Sequence, residues 1–345
     1  MTGRVRNPRT GPSDLQKTRV MAIGAAMVFA LALAACAALV GVRPLSTARA
    51  GSTSFHELRV GGRTRRFLLH LPPAAAVRRV PLVLALHGHH GNGAVLAAQS
   101  HLDAVADRLG FAIAYPDGTG RFGYLALSWN VGTCCGDAHA DSVDDLAFAD
   151  SLIAATGRTV SVDITRVFAA GFSAGGMLAL RLACTRAVQF LAVADIQGAM
   201  PDAACIPSRP VSVLLLQGDE DDELRYDLRT LRRPDGQYFA HSLEQALSFW
   251  SRINGCVPGA VARDTQPEAT RTRATQCPPG RAVELVTVAG HPHAWPGGDR
   301  TWFLAPRPAG GIDASQLVLE FFRDIDTGHR ALEWPSTVPP HAASR

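Results

Sequence analysis

Two short stretches of this chain carry side chains whose types and spacing could perform nucleophilic chemistry. Residues 171–176, GFSAGG, set Ser173 among small residues, and residues 291–298, HPHAWPGG, place His291 and His293 on either side of a proline. Taken alone, the histidine pair reads equally as a metal clamp, as half of a catalytic dyad or as a polar loop. The serine narrows the choice. A hydroxyl is a poor nucleophile until a base takes its proton, and the base needs an acid to hold its tautomer.

The elements around GFSAGG are those such chemistry requires. The apolar run VFAA precedes it and MLALRLAC follows, so a strand, a tight turn and a helix succeed one another as in a GxSxG nucleophile elbow. Gly171, Ala174 and Gly175 are small because the backbone turns sharply there, exposing the Ser173 hydroxyl. The helix start then offers unpaired N–H groups to developing negative charge. Downstream come an acidic loop, QGDEDDELRYD, and then HPHAWPGG, giving the order serine, acid, histidine. Spacing past the turn at Gly218 favours Asp219 or Asp221 as the acid and leaves the two tied.

A second oxyanion donor should come from a loop after an earlier strand. LHGHHGNG, residues 86–93, follows PLVLA and fits, with the backbone N–H groups of His89 and Ala174 as the expected donors. His87, His89 and His90 also raise the possibility of a metal. Adjacent side chains in one turn rarely converge on an ion, and no CxxC-type spacing occurs, so no metal or other cofactor is expected. Asp144 and Asp145 open a helix and read as capping rather than chemistry.

The positioning elements follow from periodicity. Continuous apolar runs at 67–73, 81–87, 111–116, 167–172, 211–217 and 283–289 predict strands buried on both faces. Helical stretches are predicted at 94–109, 144–156, 175–184, 241–253 and 314–325, the last with Leu317, Val318, Phe321, Phe322 and Ile325 on one stripe. Alternating strands and helices imply a mostly parallel sheet with helices on both faces. The long Gly-rich segment from Gly118 to Ser142 reads as a wall of the site.

Charge and composition set the compartment. Residues 1–50 carry seven basic side chains against Asp14 alone, whereas the remainder holds 27 basic and 29 acidic ones, so the overall charge of +4 reflects the leader and the body has no nucleic-acid footprint. Residues 20–42 are uncharged and STARA follows, predicting an export signal over 1–50 cleaved near Ala50. Two alternatives remain: Leu33-Ala34-Ala35-Cys36 resembles a lipobox with Cys36 as the lipidated residue, and the apolar run is long enough to stay as an anchor. The membrane enters only through this leader. A catalytic domain is expected over 51–328 and a polar tail over 329–345.

The six other cysteines are even in number, which suits disulfides in an exported domain. Cys256 with Cys277 is the favoured pair and Cys184 with Cys205 the next. Adjacent Cys134 and Cys135 are not expected to bond each other.

From about residue 56 to 325 the chain resembles the exported esterases of the polyhydroxybutyrate depolymerase and feruloyl esterase group. LHGHHGN, YPDG, SWN followed by CCG, VDDLAF, GFSAGG, QGDEDDELRY, WSRINGC, HAWPGG and DASQLVLEFF occur in that group's order. The resemblance implies an α/β-hydrolase fold. Laid on the group's acid loop, it places the acid at Asp221 and a tyrosine at Tyr226; laid on its histidine motif, it places the base at His293, with Trp295 two residues on. Gln217 stands where the group has His, and Arg225 where it has Pro, which keeps Asp219 as the runner-up. Trp129, Asn130 and Trp295 are expected near the acyl or alcohol pocket, with core packing as the alternative.

These readings point to a secreted or lipid-anchored serine carboxylesterase acting through an acyl-enzyme. The chain stops about 20 residues past its last predicted helix, with no polymer-binding module, which favours oligomeric or soluble esters: 3-hydroxybutyrate oligomers, or feruloylated or acetylated sugars. A serine peptidase and a non-catalytic cell-envelope binding protein are the alternatives from other classes.

Overall fold

In the computed structural model, the described residues are 49–328 apart from 160, 202–204, 225–239, 301–304 and 310. The leader with Cys36, the acid-loop residues Arg225 and Tyr226, and the tail 329–345 lie outside them. Among the described residues no helix is long and apolar enough to cross a membrane.

The strands are β1 (Ser52–Val60), β2 (Arg63–Leu71), β3 (Val80–Leu86), β4 (Ala112–Pro116), β5 (Val162–Phe172), β6 (Phe190–Ile196), β7 (Met200–Pro201), β8 (Ser212–Gly218), β9 (Ala240–His241), β10 (Val261–Thr265), β11 (Ala269–Ala274) and β12 (Val283–Val288). The helices are α1 (Gly93–Ser100), α2 (Leu102–Leu109), α3 (Gly136–Ala140), α4 (Asp145–Thr156), α5 (Ala174–Thr185), α6 (Leu243–Ile253) and α7 (Ala314–Thr327). Among the described residues ten strands form one sheet in the order β1-β2-β4-β3-β5-β6-β8-β12-β11-β10. The six from β4 to β12 are parallel, and antiparallel pairs flank them on both sides.

Burial explains that arrangement. All residues of β3, β4 and β8 are buried, as expected of central strands covered on both faces. Val83, Ala85, Phe168 and Ala170 join the core cluster with Leu102, Val105, Phe321 and Phe322 of α2 and α7. Leu82, Leu84, Val167 and Ala169, pointing the opposite way along the same strands, are equally buried. Helices therefore cover both faces of a largely parallel sheet. The flanking strand β1 instead alternates and turns into β2 through Gly61 and Gly62, whose φ angles of 56° and 77° suit a two-residue hairpin turn.

The single helix expected over 94–109 is two helices. His101 sits at φ 56° between α1 and α2. Carbonyls at the end of α1 are taken by partners far along the chain: Gln99 accepts from the Asp299 N–H at 2.8 Å, and Ser100 accepts from the Ser315 hydroxyl at 2.5 Å. The histidine-bearing loop is thereby tied to α1 and α7.

Among the described residues three disulfides are present, Cys184–Cys205, Cys256–Cys277 and Cys134–Cys135. The first two match expectation. The third corrects it: the peptide between the two cysteines is cis, which brings their Cα atoms to 3.2 Å and both sulfurs to the same side. Asp144 caps α4 as expected, accepting from the Ala147 N–H at 2.9 Å. Asp145 does more than cap. It is buried in an ion pair with Arg65 at 2.8 Å and accepts the Asn130 N–H at 2.7 Å, fixing the segment that precedes the vicinal cysteines.

Replacing Cys256 and Cys277 together by serine should lower the unfolding free energy by about 3 kcal/mol, from the loop-closure entropy of a bridge spanning 21 residues. A urea denaturation midpoint measures it, and an unchanged midpoint would show that the bridge adds no stability.

Candidate active site

The site assembles at the carboxyl ends of the parallel strands, where β5, β8 and β12 each deliver one loop. Ser173 follows β5 and precedes α5. Its φ of 54° and ψ of −122° put a non-glycine residue in sparsely populated backbone space, at a cost of order 1–3 kcal/mol. Close approach on every side holds it there. A Cβ on Gly171 would come within 2.2 Å of the Gly175 carbonyl carbon, and one on Gly175 within 2.2 Å of the Leu86 carbonyl oxygen. The Ser173 N–H donates to Ile196 O at 2.8 Å. Gly171 is thus required by contact within the turn itself, and Gly175 by contact with the end of β3.

His293 lies between the serine and a carboxylate. Its Nε2 is 3.0 Å from Ser173 Oγ and its Nδ1 is 2.7 Å from Asp221 Oδ2. Asp221 has a fully buried side chain. Its Oδ1 accepts the N–H groups of Glu223 and Leu224 at 2.9 and 2.8 Å, and its Oδ2 also accepts from Gln217 Nε2 at 2.7 Å. Burial pushes this carboxyl up, but the His293 contact and the two amides outweigh it and hold Asp221 below the usual carboxylate range. Asp219 is turned elsewhere, accepting the Gly290 N–H at 2.6 Å, so the structure separates the two candidate acids. Gln217, at the position where the resemblance has a histidine, reaches Asp221 and Leu224 O with one amide. No spacing rule pointed to it.

The other histidines are held by the backbone. His291 is fully buried; its Nε2 lies 3.1 Å from Ala294 O, and its Nδ1 accepts the Ala309 N–H at 3.1 Å. Burial lowers its pKa. His87 is likewise buried, with Nδ1 2.7 Å from Gly88 O and Nε2 accepting the Gly118 N–H at 2.9 Å, and burial pushes its imidazole down to about 4. It thereby ties the 87–90 loop to Gly118. A Cβ on Gly88 would lie 3.4 Å from Ser173 Cβ, so this loop borders Ser173. Among the described residues, the N–H groups of His89 and Ala174 have no hydrogen-bond partner, leaving both available to an oxyanion. Glu223, an exposed carboxylate, comes within 3.6 Å of His293 Nε2 at the rim.

Trp129, Asn130 and Trp295 are not placed as pocket walls. Trp129 is 1% exposed and donates its indole N–H to His87 O at 2.8 Å. Trp295 is equally buried, donates to Ser315 Oγ at 3.1 Å, and backs Phe172, whose ring packs against His293. Asn130 is spent on Val143 O, the Gly132 N–H and Asp145. An indole buried with its N–H satisfied has no face left for a ligand, so these residues support the site from behind.

One further carboxyl lies under the elbow. Asp195, at the end of β6, is 2% exposed, and its Oδ1 has no partner among the described residues. A Cβ on Gly176 would fall 1.9 Å from that oxygen. Burial pushes Asp195 up to about 8, with the Gly198 amide opposing.

The profile of the family described as "Esterase PHB depolymerase" matches residues 65–209. The "Putative esterase NocK" of Nocardia uniformis subsp. tsuyamanensis is 32% identical over 79% of this chain and 80% of that protein. Feruloyl esterase B of Piromyces equi is 28% identical over 65% of this chain, which spans 41% of its length. Among solved structures, S-formylglutathione hydrolase from Agrobacterium tumefaciens aligns with a TM-score of 0.50 at 12% identity over 82% of this chain and 95% of that one. The structure described as "sOPH Native" aligns with a TM-score of 0.53 at 16% identity, over 87% and 94%. At such identities these likenesses show the fold, the α/β-hydrolase fold.

Two outcomes test the site's electrostatics and geometry. His293→Ala should lower ester turnover by about 10⁴-fold or more, whereas His291→Ala should cost about 1–3 kcal/mol of stability and leave turnover within about tenfold. The reverse pattern in kcat and Tm would mean that the two histidines had exchanged parts. For Asp195 the unfolded chain ionises near 3.9 while the folded chain holds its proton to about 8. Stability therefore falls as pH rises through that window, by up to about 1.4 kcal/mol per unit. Asp195→Asn should gain more Tm at pH 8.5 than at pH 5, and an equal shift at both would remove the titration.

Proposed function

The chain belongs to the esterase PHB depolymerase family and hydrolyses esters; from that premise we propose that it does so through a serine acyl-enzyme, with Ser173, His293 and Asp221 as the triad. The observation that carries this reading is the continuous chain of hydrogen-bonding contacts from Ser173 Oγ through both His293 nitrogens to the buried Asp221 carboxylate. Ser173 Oγ attacks the ester carbonyl as His293 Nε2 takes its proton. Asp221 holds the proton on Nδ1 and stabilises the imidazolium. The Ala174 and His89 N–H groups receive the oxyanion, and collapse of the tetrahedral intermediate expels the alcohol, which leaves with the proton from Nε2. Water, deprotonated by His293, then attacks the acyl-enzyme; the acid departs and Ser173 regains its hydrogen. Ser173, His293, the leaving alcohol and water exchange every proton, so the scheme calls for no cofactor.

Substrate and location belong to the same reading. Short hydroxyalkanoate oligomers and other soluble esters are the proposed substrates. Feruloylated or acetylated sugars are the second reading, favoured by the feruloyl esterase among the relatives. The three disulfides fit an oxidising, extracytoplasmic compartment. Export through the 1–50 leader, whether cleaved near Ala50 or lipidated at Cys36, completes the proposal, with a catalytic domain from 51 to 328 and small esters rather than nucleic acid as partners.

Assaying the purified protein on p-nitrophenyl acetate and butyrate, methyl ferulate and a peptide, beside Ser173→Ala, tests this directly. Ester turnover is expected, and Ser173→Ala should lower it by about 10⁴-fold or more. Turnover that survives Ser173→Ala would sink the serine mechanism, and cleavage of the peptide alone would replace an esterase by a peptidase.

A further inference from the structure

Residues 195–198, at the end of β6, touch all three loops that carry the proposed triad. Ile196 O accepts the Ser173 N–H at 2.8 Å. Gln197 Oε1 accepts the N–H of Gly218 at 3.0 Å, where β8 ends three residues before Asp221. Gln197 Nε2 donates to Pro292 O at 3.2 Å, one residue before His293. The Gln197 N–H itself donates to Leu216 O at 2.8 Å, anchoring the residue to β8. A single fully buried side-chain amide therefore bridges the acid loop and the base loop from the strand that neighbours the nucleophile's own.

The backbone makes this placement costly. Gln197 has φ 54°, in the left-handed region that glycine or asparagine occupies with less strain. Burying a primary amide is a second cost unless its donors and acceptors are met. Glycine would relieve the strain and bury nothing polar, so a residue serving only to turn the chain has a cheaper form. What glutamine adds is the pair of contacts to Gly218 and Pro292.

We infer that Gln197 is a positioning residue that fixes the Asp221 and His293 loops relative to the Ser173 turn. This rests on the triad assignment made above. Its contribution is geometric: it touches no reacting atom, and Asp221 and His293 make their own contact. Without the bridge, the loop carrying His293 loses one of its ties to the sheet, and Nε2 drifts from Oγ. Misplacement of about 1 Å at a reacting pair is enough to cost about 100-fold.

Gln197→Gly separates positioning from folding, because glycine tolerates φ 54° without strain. The expected result is a Tm within a few degrees of the parent, a kcat reduced about 10- to 100-fold on p-nitrophenyl butyrate, and a KM changed by less than about threefold. The downfield proton resonance of the His293–Asp221 hydrogen bond should shift or broaden in the same variant. Gln197→Leu, which keeps bulk but neither contact, should show the same loss of kcat, so that an effect of the vacated volume is told apart from loss of the amide. Parent-like kcat and an unmoved resonance in Gln197→Gly would overturn the inference, as would full activity in Gln197→Leu. Ser173→Ala, run in parallel, reads the triad itself. If it stays active, the mechanism fails; if it is inactive while both Gln197 variants turn over normally, only the positioning role fails.

Discussion

The structure depends on a steric constraint: the turn at Ser173 exists only because backbone atoms can approach one another where side chains are missing. Gly171 faces Gly175 within the turn, Gly175 faces the carbonyls of Leu86 and His87, and Gly176 faces Asp195. Each contact is too short for a Cβ. The turn thus locks the end of β5 against the ends of β3 and β6, and the loop after β3 is brought beside Ser173. Strain at φ 54° is retained because the surrounding strands over-determine it, and the placement of the buried Ser173 side chain at a helix start follows from it.

A charge problem sits next to that turn. Asp221 is buried, and a buried carboxylate is stable only when its lone pairs are met. Two loop amides, Gln217 and His293 meet them. The same partners that keep Asp221 ionised also aim it, since three of the four come from its own loop or the strand before it. Asp145 pairs with buried Arg65 and accepts the Asn130 N–H, yet burial outweighs both and raises its carboxyl. Asp195, with an unpartnered oxygen, is pushed up to about 8. The three buried aspartates thus differ in how far the donors within reach offset burial.

What could be read in the residues divides along the same physical line. The Ser173 elbow was legible because its requirements are local: an apolar strand, small residues at fixed offsets and a helix. Five of the six parallel strands were legible because burial on both faces leaves continuous apolar runs; β6, FLAVADI, was missed, and the run at 67–73 is the antiparallel β2. β1, β10 and β11 were not, since half-exposed antiparallel strands such as VARDT alternate over too few residues. The choice of Asp221 over Asp219 came from family resemblance, because it depends on where Gly290 and His293 lie, more than 70 positions away. Trp129 and Trp295 were misplaced for a related reason: an aromatic side chain suits a pocket and a core equally well, and only the partner of its N–H tells them apart. Cys134 and Cys135, not expected to bond each other, do so.

Three of the five histidines in the two loops, His87, His291 and His293, show how such partners assign chemistry. His87 and His291 each face a backbone carbonyl with one nitrogen and accept a backbone N–H with the other. An imidazole in that position cannot take a second proton without turning a donor against a donor, and burial lowers the pKa of both. His293 alone among these three has side chains at both nitrogens, a carboxylate at Nδ1 and a hydroxyl at Nε2. The hydroxyl can give its proton to Nε2, and the resulting imidazolium remains paired with the carboxylate at Nδ1. In HPHAWPGG, then, the two histidines share a residue type and divide the work: His291 closes the loop through the backbone, and His293 is left with a nitrogen free to accept.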